Sequence, residues 1–490
     1  MHAPPTDSAT LPVQQKSSVD EGPVVEPSRG SRSDIPWWIW ALAGALFFTY
    51  ATLSLRIHQR MLSHSFDLGI FEQIVRSYAN GHLPVSEIKG PDFPILGDHF
   101  SPILALVAPV YRLWPSPMAL LVVQAALIAA SVLPLTLWAR RALGSPAAAV
   151  IGVCYGLSWG LASGVGSDFH EWAFAVPLLA CSLTALATGR MRAAVWWALP
   201  LLLVKEDLGL TVVVIGLVIA RRGDRKLGIT TAAVGLAGAL LATMVILPAF
   251  SPSGSYDYWH WLNGSEGSEG GLTDLLYKST IGLITPEVKI STLLLVLAPT
   301  LFLALRSPLM WIAVPTLLWR AASELSTHWG TAYHYSLVLM PIVFAAFIDA
   351  LIRRNPSKSS LRRYLAGSAA ITLLVLPQYP FWQLVQPATW RDDPRIAVAH
   401  RLMDRIPDGA TVQASNLLVP QLTNRTSASL YGWPDSRPDP QWIMVDTRVP
   451  FNQRWPLNVL QEQQALGIAR AQGYLTVSSE QGFVLLKRPS

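Results

Sequence analysis

Apolar runs alternate with short polar stretches along most of the chain. Runs long enough to cross a bilayer, or nearly so, fall at about 36–56, 118–139, 147–165, 171–188, 193–204, 208–220, 228–249, 290–305, 308–320, 334–352 and 364–384. A hydrocarbon core of roughly 30 Å takes about 20 helical residues. The pattern therefore predicts an all-α polytopic membrane protein with about eleven transmembrane helices, several of them short. A short span is tolerated where it packs against neighbours or ends in a polar cavity. The pair near 193–220 reads either as two short helices or as one broken one.

Basic residues gather in the short loops: ARRALGS (139–145), GRMR (189–192), RRGDRK (221–226), Arg306 and RRNPSKSSLRR (353–363). All five fall on one side if that side is cytoplasmic, which predicts the N-terminus inside and the C-terminus outside. The first 35 residues are polar and rich in Pro and Ser, the composition of a disordered cytoplasmic tail. That tail is too long for the n-region of a signal peptide, so 37–55 reads as a retained span. The transmembrane domain is expected over 36–385, with outer segments at 57–117, 250–289, 321–333 and 385–490.

The first outer segment predicts two surface helices. In DLGIFEQIVRSYANG, Leu68, Phe71, Val75 and Tyr78 recur at helical spacing and Gly81 can end the helix. That pattern suits a helix lying in the interface. In SPILALVAPVYRLW, Ser101 is placed to N-cap and Pro102 to take the first helical position. The last hundred residues read differently. TVQASN (411–416), QWIMVDTR (441–448) and GFVLLKR (482–488) look like strands, and 394–406 and 457–472 look helical. This predicts a small extracytoplasmic α/β domain over 386–490.

Composition agrees with the membrane reading: 51% of the 490 residues are hydrophobic, 14% are charged, and the mean hydropathy is +0.36. A net charge of +6 and a pI near 9.3 could suggest nucleic acid, but the basic residues sit in orienting loops and no nucleic-acid motif occurs. Cys154 and Cys181 lie inside apolar runs, far from metal-ligand spacing, and read as small core residues. No Walker loop, Rossmann glycine pattern, HExxH or GxSxG is present, so nucleotide hydrolysis, nicotinamide redox chemistry and zincin proteolysis have no support.

With this orientation every histidine except His2 falls on the outer side, together with most of the acids outside the tail. Asp67 opens the first surface helix, either as an N-cap or as a catalytic acid. Asp98 and His99, in LGDHFSPI, precede the second helix, where Ser101 is the better cap; the pair could bind metal or orient a hydroxyl. Asp168 and Glu171, in DFHE, match a capping box, while Asp168 and His170 also suit a divalent cation. Lys205, Glu206 and Asp207 interrupt the apolar LLLVKEDLGL. Ionisable groups at such a place face a cavity or one another, and Lys205 could meet an anionic phosphate as a point charge. Arg320, Glu324, His328, His334 and Tyr335 cluster in WRAASELSTHWGTAYHYS. Arg320 needs a partner, either Glu324 one turn on or a lipid phosphate, and the bland reading of the aromatic residues and histidines is an interface belt.

FDLGIFEQ, GDHFSPIL, DFHEWAFAVPLL, VKEDLGL, LPAFSPSG and YHYS occur in the order seen in the bacterial membrane family called domain of unknown function 2079, which the chain resembles over about 50–490. More loosely, its layout is similar to the GT-C superfamily of membrane glycosyltransferases. The shared plan is a first span, a long outer loop with an early acid, a span ending in Ala139 to Gly144, a further outer acid, and a span pair interrupted by lysine. That resemblance implies transfer of a sugar from a polyprenyl-phosphate carrier on the outer face of the cell membrane. It implies Asp67 as the catalytic acid of the first loop; Asp98 and His99 are expected, from their own place in the sequence, to support it. It implies Asp168 as a second-loop acid that helps bind metal, and with His170 beside it a divalent ion, Mg or Mn, is expected there. Lys205, Glu206, Arg320, His334 and Tyr335 would bind substrate or its phosphate. The partners implied are a lipid-linked sugar donor and membrane lipid, with no nucleic acid, and no oligomeric state is indicated. A transporter or flippase for a lipid-linked or anionic substrate, and a non-catalytic scaffold, are the rival readings of the same charges.

Overall fold

The computed structural model describes residues 1–2, 35–255, 280–450 and 453–489. The expected disordered tail falls almost wholly outside the described residues, as does the middle of the 250–289 segment. The rest is mostly helical, with a small sheet near the C-terminus.

Among the described residues, five helical stretches are long and apolar enough to cross a membrane: Trp37–Gln59, Pro117–Leu143, Ser145–Gly166, Arg225–Phe250 and His334–Arg354. Most of the predicted runs form helices close to their expected bounds. They include α1 (Trp37–Gln59), α2 (Ile70–Ala79), α3 (Ala108–Leu113), α4 (Pro117–Ala130), α5 (Val132–Leu143), α6 (Ser145–Gly156), α7 (Trp159–Gly166), α8 (Trp172–Ala187), α9 (Met191–Ala198), α10 (Leu208–Arg221) and α11 (Arg225–Leu241). The 193–220 stretch resolves into two elements broken at the Lys205 region.

Three later runs are less regular, each near a proline. The 290–305 run is helical only over Glu287–Leu297 and then passes through Pro299 to Leu301 and Phe302, both left-handed. The 308–320 run starts as a 3-10 turn at Pro308 and becomes α-helical at Val314–Ala322. The last run is helical over Lys358–Val375 and breaks up at Pro377 and Pro380. Proline lacks the amide hydrogen a helix needs and restricts the residue before it, which ends helices.

The centre of the bundle is the helix Leu339–Arg354, in which every residue from Leu339 to Leu351 is buried. Its one acid in that stretch, Asp349, accepts from Ser307 Oγ and Arg353 Nε, both at 2.6 Å. Helices α10 and α11 form a close hairpin. A Cβ on Gly216 would lie 2.5 Å from Ala232 N, and one on Gly228 2.3 Å from Ala220 N, so only glycine lets these backbones touch.

The sheet contains β3 (Thr411–Ala414), β4 (Ser427–Leu430), β5 (Trp442–Asp446), β6 (Leu475–Glu480) and β7 (Phe483–Lys487), after the small ladder of β1 (Val85–Ser86) and β2 (Phe93–Pro94). Its order is β4-β3-β5-β7-β6, with β4, β3 and β5 parallel and β7 antiparallel to both neighbours. The sheet region grips the first loop: Gln73 Nε2 donates to Ala428 O at 2.8 Å, and Arg76 to Thr423 O and Thr426 O. Helix α2, expected to lie in an interface, is therefore covered by residues 423–428 on one side while Phe71, Ile74 and Tyr78 line a cavity on another.

Candidate functional site

The first loop leaves α1 and enters a π-helical turn, Ser65–Gly69, ahead of α2. Such wide turns are rare and recur at functional sites. Asp67 lies inside this turn and caps nothing; its Oδ1 is 3.1 Å from His170 Nε2. The N-cap alternative is thereby removed.

Asp168 is held in the left-handed region at φ 62°, a conformation that Asp tolerates better than most residues and that tends to occur where function requires it. Its Oδ2 accepts from the His64 amide at 2.9 Å and faces His64 Nδ1 at 3.1 Å. Its Oδ1 is buried without a partner among the described residues. The hydrogen bond to Asp168 pulls the His64 imidazole above its ordinary value against the effect of burial. The expected capping box with Glu171 does not form: Glu171 stands at the N-cap of α8 but makes no side-chain cap bond, because its carboxylate turns to Lys205. Atoms of His64, Asp67 and Asp168 lie within 4.8 Å of one another, a nitrogen and oxygen donor set able to hold a divalent ion. His170, named as a metal ligand from the sequence, is instead the partner of Asp67.

Asp98 and His99 follow the turn Ile95–Gly97. A Cβ on Gly97 would meet the backbone of Phe250 and Ser251 at 2.5 Å, so glycine lets this loop dock there. Asp98 Oδ1 pairs with Lys89 Nζ at 3.1 Å. His99 Nδ1 is 2.9 Å from Glu206 Oε1, and the Phe100 amide donates to Glu206 Oε2 at 3.1 Å. Glu206, expected to touch substrate, thus clamps the Asp98 loop with both oxygens. Ser101 occupies the predicted cap position, yet its hydroxyl is buried and makes no cap bond.

Lys205 Nζ reaches Glu171 Oε1 at 2.8 Å and lies 5.8 Å from the Trp172 ring centre. Arg320 is placed otherwise. Its guanidinium donates to His328 O and Gly330 O at 2.8 Å, Ser336 Oγ at 3.0 Å and Tyr335 O at 3.4 Å. Those bonds make it a tie across its own loop. His334 stacks on His170 with ring centres 3.5 Å apart, and Tyr335 packs beside it at 4.3 Å.

These groups meet at a cavity of about 540 Å³. Asp67, Asp98, His99, His170, Lys205, Glu206, His334 and Tyr335 line it; Asp168 and Arg320 do not. Its polar end holds Asp67, Asp98, Glu171, Glu206 and Asp207 against Lys89 and Lys205, each lysine already paired with a carboxylate. Its other wall is apolar and includes Leu210 of α10 and Leu236, Ala239 and Leu240 of α11. Sequence reasoning overlooked His64, although it stands one helical turn before Asp67. It also overlooked Lys89 and Glu171 as the partners of Asp98 and Lys205, pairings that only the tertiary fold creates.

The mostly helical body with its small C-terminal sheet region is similar in fold to a solved protein. ArnT from Cupriavidus metallidurans in the apo state superposes with a TM-score of 0.54 at 13% identity, over 92% of this chain and 97% of ArnT. Its structure bound to undecaprenyl phosphate superposes with a TM-score of 0.52, at the same identity and coverage. At this identity the likeness is one of fold. The chain belongs to the family described as predicted membrane protein (DUF2079), whose pattern matches residues 57–485. Among curated proteins no sequence relative is found.

Proposed function

We propose that the protein is a GT-C-type glycosyltransferase of the cell membrane. In this reading it moves a sugar from a polyprenyl-phosphate carrier to an acceptor on the outer face. The observation that carries this reading is the convergence of Asp67, Asp98, His170 and Lys205 on one cavity with an apolar wall. The apolar wall suits a prenyl chain, and the polar end suits the sugar and its phosphate. That ArnT binds undecaprenyl phosphate in the same fold supports the donor class.

Asp67 is the general base. His170 orients its carboxylate, which takes the proton of the acceptor hydroxyl as that oxygen forms its bond to the anomeric carbon. The bond from the anomeric carbon to the phosphate oxygen breaks, and the carrier phosphate leaves with the electron pair. Lys205 stands at the wall to meet the growing negative charge. The excess of carboxylates there disfavours a phosphate unless further positive charge is supplied. His64, Asp67 and Asp168 are the residues that would hold a divalent ion such as Mg or Mn, and the unpartnered, buried Asp168 Oδ1 fits that role. When bound, such an ion supplies Lewis-acid stabilisation of the phosphate.

The test is a transfer assay in membranes with polyprenyl-phosphate sugars. Asp67→Asn is expected to lower the rate by about 10²–10⁴-fold, the range for loss of a general base, without changing the unfolding temperature. Undiminished transfer would remove Asp67 from the mechanism. Metal binding is tested separately: Mn titrated into the protein should bind about 10–100-fold more weakly to Asp168→Asn. Equal binding would place the ion elsewhere.

A further inference from the structure

A second, smaller recess lies at the carboxyl ends of the parallel strands. Strand β3 sits between β4 and β5, and the chain leaves β3 toward β4 but leaves β5 toward β6 at the opposite edge. In open α/β sheets ligands bind at such a switch point. Asn416 follows β3, Tyr431 follows β4, and Arg454, Trp455 and Glu462 close the recess. Its volume is about 20 Å³. That exceeds the roughly 10–15 Å³ that a single water or hydroxyl requires and is far too small for a ring.

One polar group lining the recess lacks a partner among the described residues: Tyr431 is 7% exposed and its hydroxyl bonds to nothing. Buried groups of this kind are normally satisfied, so it is an opening for a ligand atom. The recess offers no spare cation among the described residues. Arg454 donates to Glu462 Oε1 and Val449 O at 2.9 Å and to Thr447 O at 2.5 Å. The unmatched chemistry is neutral, which favours a hydroxyl over a phosphate.

The recess abuts the main site through Phe66. That ring lies 4.9 Å from Trp433 and 4.8 Å from Trp455, edge to face, and also lines the large cavity. Asn416 Oδ1 accepts from Ser65 N at 3.0 Å and Ser65 Oγ at 2.6 Å. The residues immediately before Asp67 are thus packed onto the recess. Trp455 is 40% exposed, leaving part of an indole open to solvent.

We propose that this recess and the exposed Trp455 ring form an acceptor subsite for a neutral, polyhydroxylated glycan. The assignment rests on the transferase reading above. One hydroxyl or hydroxymethyl group enters the recess toward Tyr431. The C–H face of the sugar ring, weakly positive, packs on the negative face of Trp455. The acceptor is thereby held beside the turn that carries the base.

Full-length protein in lipid nanodiscs, with no donor present, is titrated with maltotriose, mannotriose and triacetylchitotriose, and binding is read by saturation-transfer NMR. At least one trisaccharide is expected to bind. Trp455→Ala should weaken it about tenfold and Trp455→Phe less; Tyr431→Phe should weaken it about threefold. Binding by none of the three, or binding that Trp455→Ala leaves within about twofold, overturns the subsite. Because turnover is not involved, the two readings fail separately. Transfer that depends on Asp67 with no trisaccharide bound overturns the subsite alone. Trisaccharide bound by a protein that transfers nothing overturns the transferase reading and leaves a sugar site.

Discussion

Lys205 and Arg320 look alike in the sequence, each a cation at the edge of an apolar run. The fold uses them in opposite ways. Lys205 stands at the wall of the large cavity and holds one carboxylate oxygen of Glu171, whose other oxygen is buried without a partner among the described residues. Arg320 is 3% exposed, and its donors go to three carbonyls and a hydroxyl of residues 328–336. A compact ammonium on a flexible stem can change partners when an anion arrives, whereas a planar fork bonded to several carbonyls of one loop is architecture. The contrast separates a group that can act on a ligand from one that shapes the cavity.

Among the cations, the largest effect is expected at Lys205. Lys205→Met alone would leave Glu171 buried and unpaired, a loss of about 3–5 kcal/mol that would confuse folding with function. The double variant Lys205→Met with Glu171→Gln removes both charges. Its unfolding temperature should stay near that of the wild type while transfer falls about 10²–10³-fold, the usual effect of losing one charge-stabilising donor. Transfer within about threefold of wild type would show that Lys205 has no part in stabilising the phosphate.

Arg320→Lys should invert that result. The charge remains, but a lysine cannot reach the same acceptors as a fork, and each buried carbonyl left unpaired costs about 1–3 kcal/mol. A clear fall in unfolding temperature is expected, with the KM for the donor unchanged. A normal unfolding temperature with a raised donor KM would break the comparison and return Arg320 to the phosphate.

How far these roles were legible depended on distance along the chain. Hydropathy placed the helices well, because burial in lipid or core selects long apolar runs; it misjudged 290–305 and 364–384, where prolines break the helix. Strands β3, β5 and β7 carry apolar, β-branched or aromatic residues and were visible, whereas β4, with the sequence SASL, has no such signal. Asp67, Asp98 and Lys205 stood out as charges in apolar surroundings. Their partners did not, since Lys205 finds Glu171 across 34 residues and Asp67 finds His170 across 103. For Asp168 a local pattern misled: the acid three residues on suggested a capping box, and tertiary bonds to His64 and Lys205 won at the two ends.

Arg437 supplies a third cation and the smallest effect. It holds Glu87 with two bonds, at 2.8 and 2.9 Å, and so ties the sheet region to the first loop. Burial pushes the Glu87 carboxyl up, but Arg437 and the Asp92 amide outweigh it and hold it below its ordinary 4.5. A carboxyl depressed on folding contributes stability above its unfolded value and loses it as the pH falls through its folded value. Because the Arg437 side chain is a third exposed, solvent screening limits the pair to about 1 kcal/mol. Wild type should therefore unfold at a slightly higher temperature than Glu87→Gln at about pH 6, and the gap should close once the lower pH has passed below the depressed folded value of the carboxyl. A gap that persists at the lower pH would mean that the sheet region is tied to the loop mainly by uncharged contacts, those of Gln73 and Asn416 first among them.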